Sequence, residues 1–127
     1  MESGRGTDDG GGGAMTAAAF RALALSLPEA SEAPHFARVS FRVGKKIFAT
    51  MVPDGSEAMV RVAPRAALYA LLKAQPDVFF SYGGWTERNG SLGVHLAKVA
   101  AAEMRPLVIA SWKHVAPKRA LGAFDAC

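Results

Sequence analysis

Residues 38–62 read RVSFRVGKKIFATMVPDGSEAMVRV, and this stretch decides the fold. Apolar residues alternate with polar ones over 38–43, which is the pattern of a strand with one buried face. Gly44-Lys45 fits a two-residue hairpin turn, because glycine adopts the positive φ angle that such turns need. Pro53-Asp54-Gly55 is a second strong turn signal. The stretch therefore predicts three consecutive antiparallel strands, over 38–43, 46–52 and 58–62.

The two turns also predict the register of these strands. The first turn leads to Phe41 opposite Phe48, and a five-residue second turn leads to Thr50 opposite Val60. Directly opposed residues share a face of the sheet, so this register turns an apolar face towards the helices. The other face is then open and has three arginines around a moderately apolar centre. Its predicted members are Arg38, Ser40, Arg42, Ile47, Ala49, Met51, Met59 and Arg61.

Helical patterns flank the three strands. Phe20, Leu23 and Leu27 recur at helical spacing between a capping Thr16 and Pro28, which predicts a first helix. The segment over 29–36 reads as a polar connection. Two further helices are predicted over 64–74 and 101–115, with a buried Trp112 in the last and Pro106 in its first turn, so that this helix starts late. Two more strands are predicted over 78–82 and 91–97.

The predicted order of elements is α-β-β-β-α-β-β-α. This order is typical of an α+β fold, a two-layer sandwich in which helices cover one face of one antiparallel sheet. The chain has 127 residues, of which 50% are hydrophobic and 20% charged, a composition that predicts one folded domain. We expect a domain over 15–125, preceded by a disordered Gly-rich leader over 1–14, and Met15 is an alternative start.

The sequence has no long apolar run and no secretion signal, so we expect a cytoplasmic domain that does not enter a membrane. The single cysteine, Cys127, is the last residue and cannot form a disulfide within the chain. The net charge is +4, and it rises to +6 over residues 15–127. Such a basic domain favours acidic partners such as nucleic acid, although many ordinary domains are as basic.

No known catalytic or metal-binding pattern occurs in the sequence. His35, His95 and His114 are each isolated, with no Cys, His or acidic residue at metal-ligand spacing. No serine lies in a nucleophile elbow, and no pair of carboxylates suggests acid–base catalysis. We therefore expect a non-enzymatic domain with no catalytic residue, no metal and no cofactor.

The candidate nucleic-acid contacts are basic residues of the predicted open face, the first hairpin and the C-terminal region. They are Arg38, Arg42, Lys45, Lys46, Arg61, Lys113, Lys118 and Arg119. Hairpin tips with Lys and Arg can follow phosphates, but lysine at a turn also simply keeps a sheet edge soluble. Lys118 and Arg119 could instead cap the end of a helix. Three further candidates for loop or pocket contacts are His35, Trp85 and Arg88, and Trp85 fits either base stacking or anchoring on the core.

Several motifs resemble the MmcQ/YjbR family. They are PEA at 28–30, PHF at 34–36, SFRV at 40–43, KIFAT at 46–50, GGW at 83–85, Trp112 and APKR at 116–119. The resemblance extends from Met15 to Phe124 and implies a CyaY-like, secretion-chaperone-like fold of bacterial type. It also implies DNA binding through a double wing. The alternative is a protein-interaction or homodimerisation module that uses the open sheet face.

The chain departs from the family pattern in two places. After the GGW motif, relatives usually continue with another glycine and a further Trp or Thr, whereas this chain reads TERNGSL at 86–92. Glu87 in this loop weakens a phosphate-binding role for it. The last helix of the relatives also usually lacks a proline at the position of Pro106.

Overall fold

The computed structural model describes residues 15–125, so the predicted leader over 1–14 and Cys127 lie outside the described residues. Within them the chain forms six strands, five α-helices and a short 3-10 turn after β6 (Leu96–Lys98). The strands are β1 (Ala30–His35), β2 (Arg38–Val43), β3 (Lys46–Met51), β4 (Glu57–Arg61), β5 (Phe79–Ser81) and β6 (Ser91–His95). The helices are α1 (Ala17–Ser26), α2 (Arg65–Ala74), α3 (Trp85–Arg88), α4 (Ala101–Lys113) and α5 (Lys118–Asp125).

All six strands form one antiparallel sheet, in the order β1-β2-β3-β4-β6-β5. Helix α4 packs on β3 and β4 in the middle of the sheet, and α1 packs on β1 and α4. The core between these layers contains the fully buried rings of Phe20 and Phe41, which meet edge to face at 5.7 Å. The predicted α+β class is confirmed.

Three elements were not predicted. Strand β1 occupies most of the segment that was expected to be a polar connection. It is an edge strand with several exposed positions, and such a position tolerates Glu32 and Pro34, which hide the strand pattern. Helix α3 occupies the loop after the GGW motif, and α5 follows Pro117, whose carbonyl accepts bonds from the amides of Ala120 and Leu121.

A β-bulge changes the predicted register. The turn at Gly44-Lys45 is confirmed, but Phe41 pairs with Ala49 instead of Phe48, and Thr50 pairs with Met59 instead of Val60. Phe48 is the extra residue of the bulge and pairs in neither ladder.

Because of the bulge, three residues lie on the opposite side of the sheet from the one predicted. Ala49 and Met51 are buried towards the helices, whereas Thr50 lies on the open face in the same row as Ser40 and Met59. The predicted open face is therefore wrong at Ala49 and Met51. The other predicted members of the open face keep their side. Ile47 precedes the bulge in β3, and the rest lie on β2 and β4, which have no extra residue.

Helix α4 does not start late. It begins at Ala101, so Pro106 lies in its interior. Proline has no amide hydrogen, and the carbonyl of residue 102 therefore lacks a helical donor. Both Ala102 and Pro106 are exposed, so water can bond that carbonyl and the helix continues.

Trp112 is fully buried, as predicted, and it connects three parts of the chain. Its Nε1 donates a hydrogen bond of 3.1 Å to the carbonyl of Pro28, just after α1. Its ring lies 5.3 Å from that of Phe124 in α5. The tryptophan thus holds α4, α5 and the α1–β1 connection together.

Candidate functional site

Four of the eight predicted basic residues line two surfaces at opposite ends of β2. This strand begins at Arg38, beside the β1–β2 turn, and ends at Val43, beside the β2–β3 turn. Six residues of a strand span about 17 Å between their first and last Cα atoms. Arg38 and Lys45 therefore lie on separate surfaces.

The first surface is a groove between the β2–β3 turn and the α4–α5 connection, called here the basic groove. It has a volume of about 430 Å³. Its basic lining comes from two distant parts of the chain: Lys45 and Lys46 on the turn, and Arg119 near the C-terminus. Glu29 and His114 also line it. Both lysines are exposed, and neither forms an ion pair or side-chain hydrogen bond with any residue in 15–125. The groove thus joins parts of the two predicted basic groups.

Arg119 is held in the basic groove by Glu29. Its Nε and Nη2 donate to the two carboxylate oxygens, each at 2.8 Å, which is the bidentate geometry of a strong charged pair. This hydrogen bonding and the negative charge raise the pKa of the Arg119 guanidinium. The neighbouring Lys118 is exposed, and the Lys113 ammonium lies 5.4 Å from the ring centre of Phe124. These two lysines flank the groove in sequence without lining it.

The second surface is a depression on the open side of the sheet, called here the sheet-face cleft. It has a volume of about 260 Å³. Five strands, from β1 to β4 and β6, and the segment around α3 contribute to it. The lining residues are His35, Arg38, Thr50, Met59, Tyr82, Thr86 and Ser91. Thr50 lines this cleft because the bulge turns it to the open face.

Arg38 is the cation of the sheet-face cleft, and its side chain is only 26% exposed. Its Nη1 donates a long bond of 3.4 Å to the Thr50 hydroxyl, and its Nη2 lies 3.8 Å from a carboxylate oxygen of Glu57. The guanidinium carbon lies 5.5 Å from the centre of the Tyr82 ring, within the range of a cation–π contact. Burial raises the pKa of the Tyr82 phenol, although Arg38 opposes the shift.

The other two arginines of the open face behave differently. Arg42 donates from Nε to the Ser40 hydroxyl at 2.8 Å and from Nη2 to the carbonyl of Pro34 at 3.2 Å. The Ser40 hydroxyl in turn donates to the carbonyl of Ala33 at 2.8 Å. Arg42 therefore fastens β1 to β2. Arg61 is exposed, pairs with Ser91 in the ladder and does not line the cleft.

Helix α3 presents the loop candidates. Trp85 is 66% exposed, so it is not an anchor on the core, and Arg88 is exposed beside it in the same helix. The Glu87 carboxylate already has hydrogen-bond partners within the domain. It accepts hydrogen bonds from the hydroxyls of Tyr69 and Ser81.

The sequence analysis missed Phe36, Tyr82 and Glu57. Phe36 is 96% exposed at the tip of the β1–β2 hairpin and has a φ of 57°, a strained left-handed conformation for a bulky residue. A lone aromatic residue inside a polar segment was the signal that could have identified it. The roles of Tyr82 and Glu57 depend on contacts with Arg38, and a single sequence gives no sign of such contacts.

Two general properties of the described chain bear on function. Within residues 15–125, histidines, cysteines and carboxylates do not gather in groups of three or more that could hold a metal ion. In the same range, no helix has the length and apolar character needed to cross a bilayer.

The chain is similar to known proteins in sequence and in fold. A model of the YjbR family matches residues 25–114, which is more than half of the chain. The crystal structure of Deinococcus radiodurans protein DR2400, which has a DUF419 domain, superimposes with a TM-score of 0.66. The two are 20% identical, over 82% of this chain and 80% of that chain, so this likeness concerns the fold alone. No curated protein shows significant similarity.

Proposed function

We propose that this chain, which belongs to the YjbR family, binds the phosphate backbone of nucleic acid through the basic groove. One observation carries the proposal: the β2–β3 turn and the start of α5 bring Lys45, Lys46 and Arg119 to the same groove. Three cations around one concave surface form the electrostatic pattern that phosphates favour. Glu29 neutralises part of this charge, so the two lysines supply most of the attraction.

The proposed role is binding without catalysis. The only carboxylate that lines the basic groove, among the described residues, is Glu29, and Arg119 already engages it through both oxygens. Binding through lysines at a turn also predicts weak sequence preference, because phosphate contacts position a protein without reading bases. We also propose that the protein acts in the cytoplasm.

The test is the binding of fluorescently labelled duplex DNA at two salt concentrations, about 50 and 200 mM. The test variant carries Lys45→Glu and Lys46→Glu. We expect it to lose most of its affinity, and the log–log salt slope of any residual binding to become shallower by about 0.9 for each lost phosphate contact. Turn-tip side chains support little packing, so thermal stability should stay within about 0.5 kcal/mol.

The matched control carries Lys73→Glu and Lys98→Glu. Both lysines are exposed, in α2 and in the 3-10 turn after β6, and the net charge changes by the same amount. This control should retain more affinity than the test variant and most of the salt slope of the parent. The proposal is overturned if the parent shows no binding near 50 mM salt, or if both variants weaken binding equally.

A second candidate function, homodimerisation, is favoured by Phe36. An aromatic side chain that is 96% exposed at a hairpin tip has the character of an interface anchor. Light scattering over a concentration series tests this function. A dimer of the parent that dissociates in Phe36→Ser and is insensitive to salt supports homodimerisation, and a parent that stays monomeric rules it out.

A further inference from the structure

We infer that the sheet-face cleft binds a small organic anion, with a carboxylate or phosphate group on Arg38 and a flat apolar group against Tyr82 and Met59. This site is separate from the basic groove, and the inference does not depend on nucleic-acid binding.

The strongest observation is the spare donor capacity of Arg38. A guanidinium has five N–H donors in a fixed fork. Within residues 15–125 its nitrogens have one long hydrogen bond of 3.4 Å to Thr50 and one ion-pair contact of 3.8 Å to Glu57. The guanidinium also interacts with Tyr82, whose phenol pKa it lowers through its charge and hydrogen bonding, against the larger effect of burial. By contrast, Arg42 and Arg119 have short bonds of 2.8 Å to their partners. A partly buried guanidinium with an open fork matches the geometry of a carboxylate or a phosphate.

The apolar side of the cleft is built around a glycine. An added Cβ at Gly93 would lie 2.4 Å from ring atoms of Phe80, so only glycine lets this ring lie over β6. Phe80 in turn contacts Tyr82 edge to face at 5.1 Å and His95 at 4.6 Å. The Phe80 ring thus supports the Tyr82 ring.

The reach of two long side chains brings the two sides of the cleft together. Tyr82 directly follows β5, and β5 lies four positions from β2 in the sheet order, which is about 19 Å in a flat sheet. The guanidinium of Arg38 nevertheless lies 5.5 Å from the Tyr82 ring centre. The two long side chains therefore lean towards each other over the open face, and a ligand in the cleft can touch both groups.

The segment that presents Tyr82 is held in place before any ligand binds. The Ser81 hydroxyl donates to Glu87 and accepts from the amide of Gly83 at 2.8 Å. The Thr86 hydroxyl donates to the carbonyl of Gly83. These bonds fix the loop between β5 and α3, so binding requires little ordering of the chain.

The volume of about 260 Å³ and the lining limit the ligand to a compound with roughly one ring. The hydroxyls of Thr50, Thr86 and Ser91 offer hydrogen bonds to further polar groups of such a compound. Benzoate and phenyl phosphate combine an anion with a single ring, and they distinguish carboxylate from phosphate recognition.

The experiment is an NMR titration of the full chain with benzoate, phenyl phosphate, acetate and benzyl alcohol. We expect saturable shifts centred on the amides of Thr50, Thr86 and Ser91, with a Kd of about 1 mM or tighter for at least one of the two ring anions. Acetate lacks the ring and benzyl alcohol lacks the charge, so each should bind at least about tenfold more weakly than that anion.

Variants test the assigned contacts. Arg38→Gln should weaken binding by about tenfold or more, whereas Arg61→Gln removes the same charge from the same face outside the cleft and should bind like the parent. If Arg38→Gln does not fold, Tyr82→Leu and Tyr82→Phe test the ring contact instead. Tyr82→Leu loses the ring and should weaken binding, whereas Tyr82→Phe keeps the ring and should bind like the parent. The Lys45→Glu, Lys46→Glu variant should bind the anion like the parent, which separates this site from the basic groove.

Three results would overturn the inference. One is the absence of saturable binding of both ring anions up to about 10 mM. Another is a folded Arg38→Gln variant that binds like the parent. The third is equal binding of acetate and benzoate, which would indicate a non-specific ion on an arginine.

Discussion

At the scale of single residues, Ser111 explains how the sheet accommodates its bulge. Phe48 pairs in neither ladder, so its buried backbone needs another partner. The hydroxyl of Ser111, which is fully buried in α4, donates to the carbonyl of Phe48 and accepts from the amide of Arg61 at 2.8 Å. One side chain thus satisfies backbone groups on β3 and β4 and fixes the helix over the sheet.

We expect Ser111→Ala to lower the free energy of unfolding by about 2–4 kcal/mol, because the buried carbonyl of Phe48 and the amide of Arg61 lose their side-chain partner. The substitution removes one oxygen atom and leaves little cavity. Urea denaturation measures the effect. Ser26→Ala is the control, since the Ser26 hydroxyl bonds the carbonyl of Leu23 at an exposed helix end, and its cost should stay within about 0.5 kcal/mol. Equal effects of the two substitutions would contradict the bridging role.

At the scale of elements, prediction from sequence succeeded where apolar and polar residues alternate regularly. It failed at the bulge of β3 and at the edge strand β1. The turns and the strands around Gly44-Lys45 follow from local preferences and were predicted within a residue or two. The carbonyl of Phe48 at the bulge is bonded by Ser111, which is distant in sequence, so no local pattern indicates this partner. Strand β1 pairs only on one side, and its exposed polar residues lack the period-two signal.

Helix α4 depends on Trp112 for its connection to the rest of the molecule. We expect Trp112→Ala to lower the free energy of unfolding by about 3–5 kcal/mol, or to prevent folding in a domain of about 5–15 kcal/mol total stability. Trp112→Phe keeps much of the packing and loses the bond to Pro28, so it should cost less and remain folded. Urea denaturation with circular dichroism measures both variants. If Trp112→Ala is as stable as the parent, the ring does not hold α4, α5 and the α1–β1 connection together.

At the scale of the whole molecule, the two surfaces could not be read from one sequence. Lys45 and Arg119 meet across the basic groove although most of the domain lies between them in the chain. In the same way, Arg38 meets Tyr82 across the open face, although their strands lie four positions apart in the sheet order. The sequence indicated the fold class, the family and several residues that line the two surfaces. Which of these residues share a surface depends on tertiary contacts. Arg38 and Arg42, which looked equivalent in sequence, therefore have different roles.

The position of the surfaces at the two ends of β2 predicts that they act independently. Sites more than about 7–10 Å apart with no shared partners usually show additive free energies within about 0.5 kcal/mol. Arg38→Gln should therefore leave DNA affinity unchanged, and saturation with a ring anion should not alter the DNA affinity of the parent. Anisotropy titrations of the parent, the Lys45→Glu, Lys46→Glu variant, the Arg38→Gln variant and their combination form the thermodynamic cycle. A coupling above about 1 kcal/mol would mean instead that DNA covers the open face as well as the basic groove.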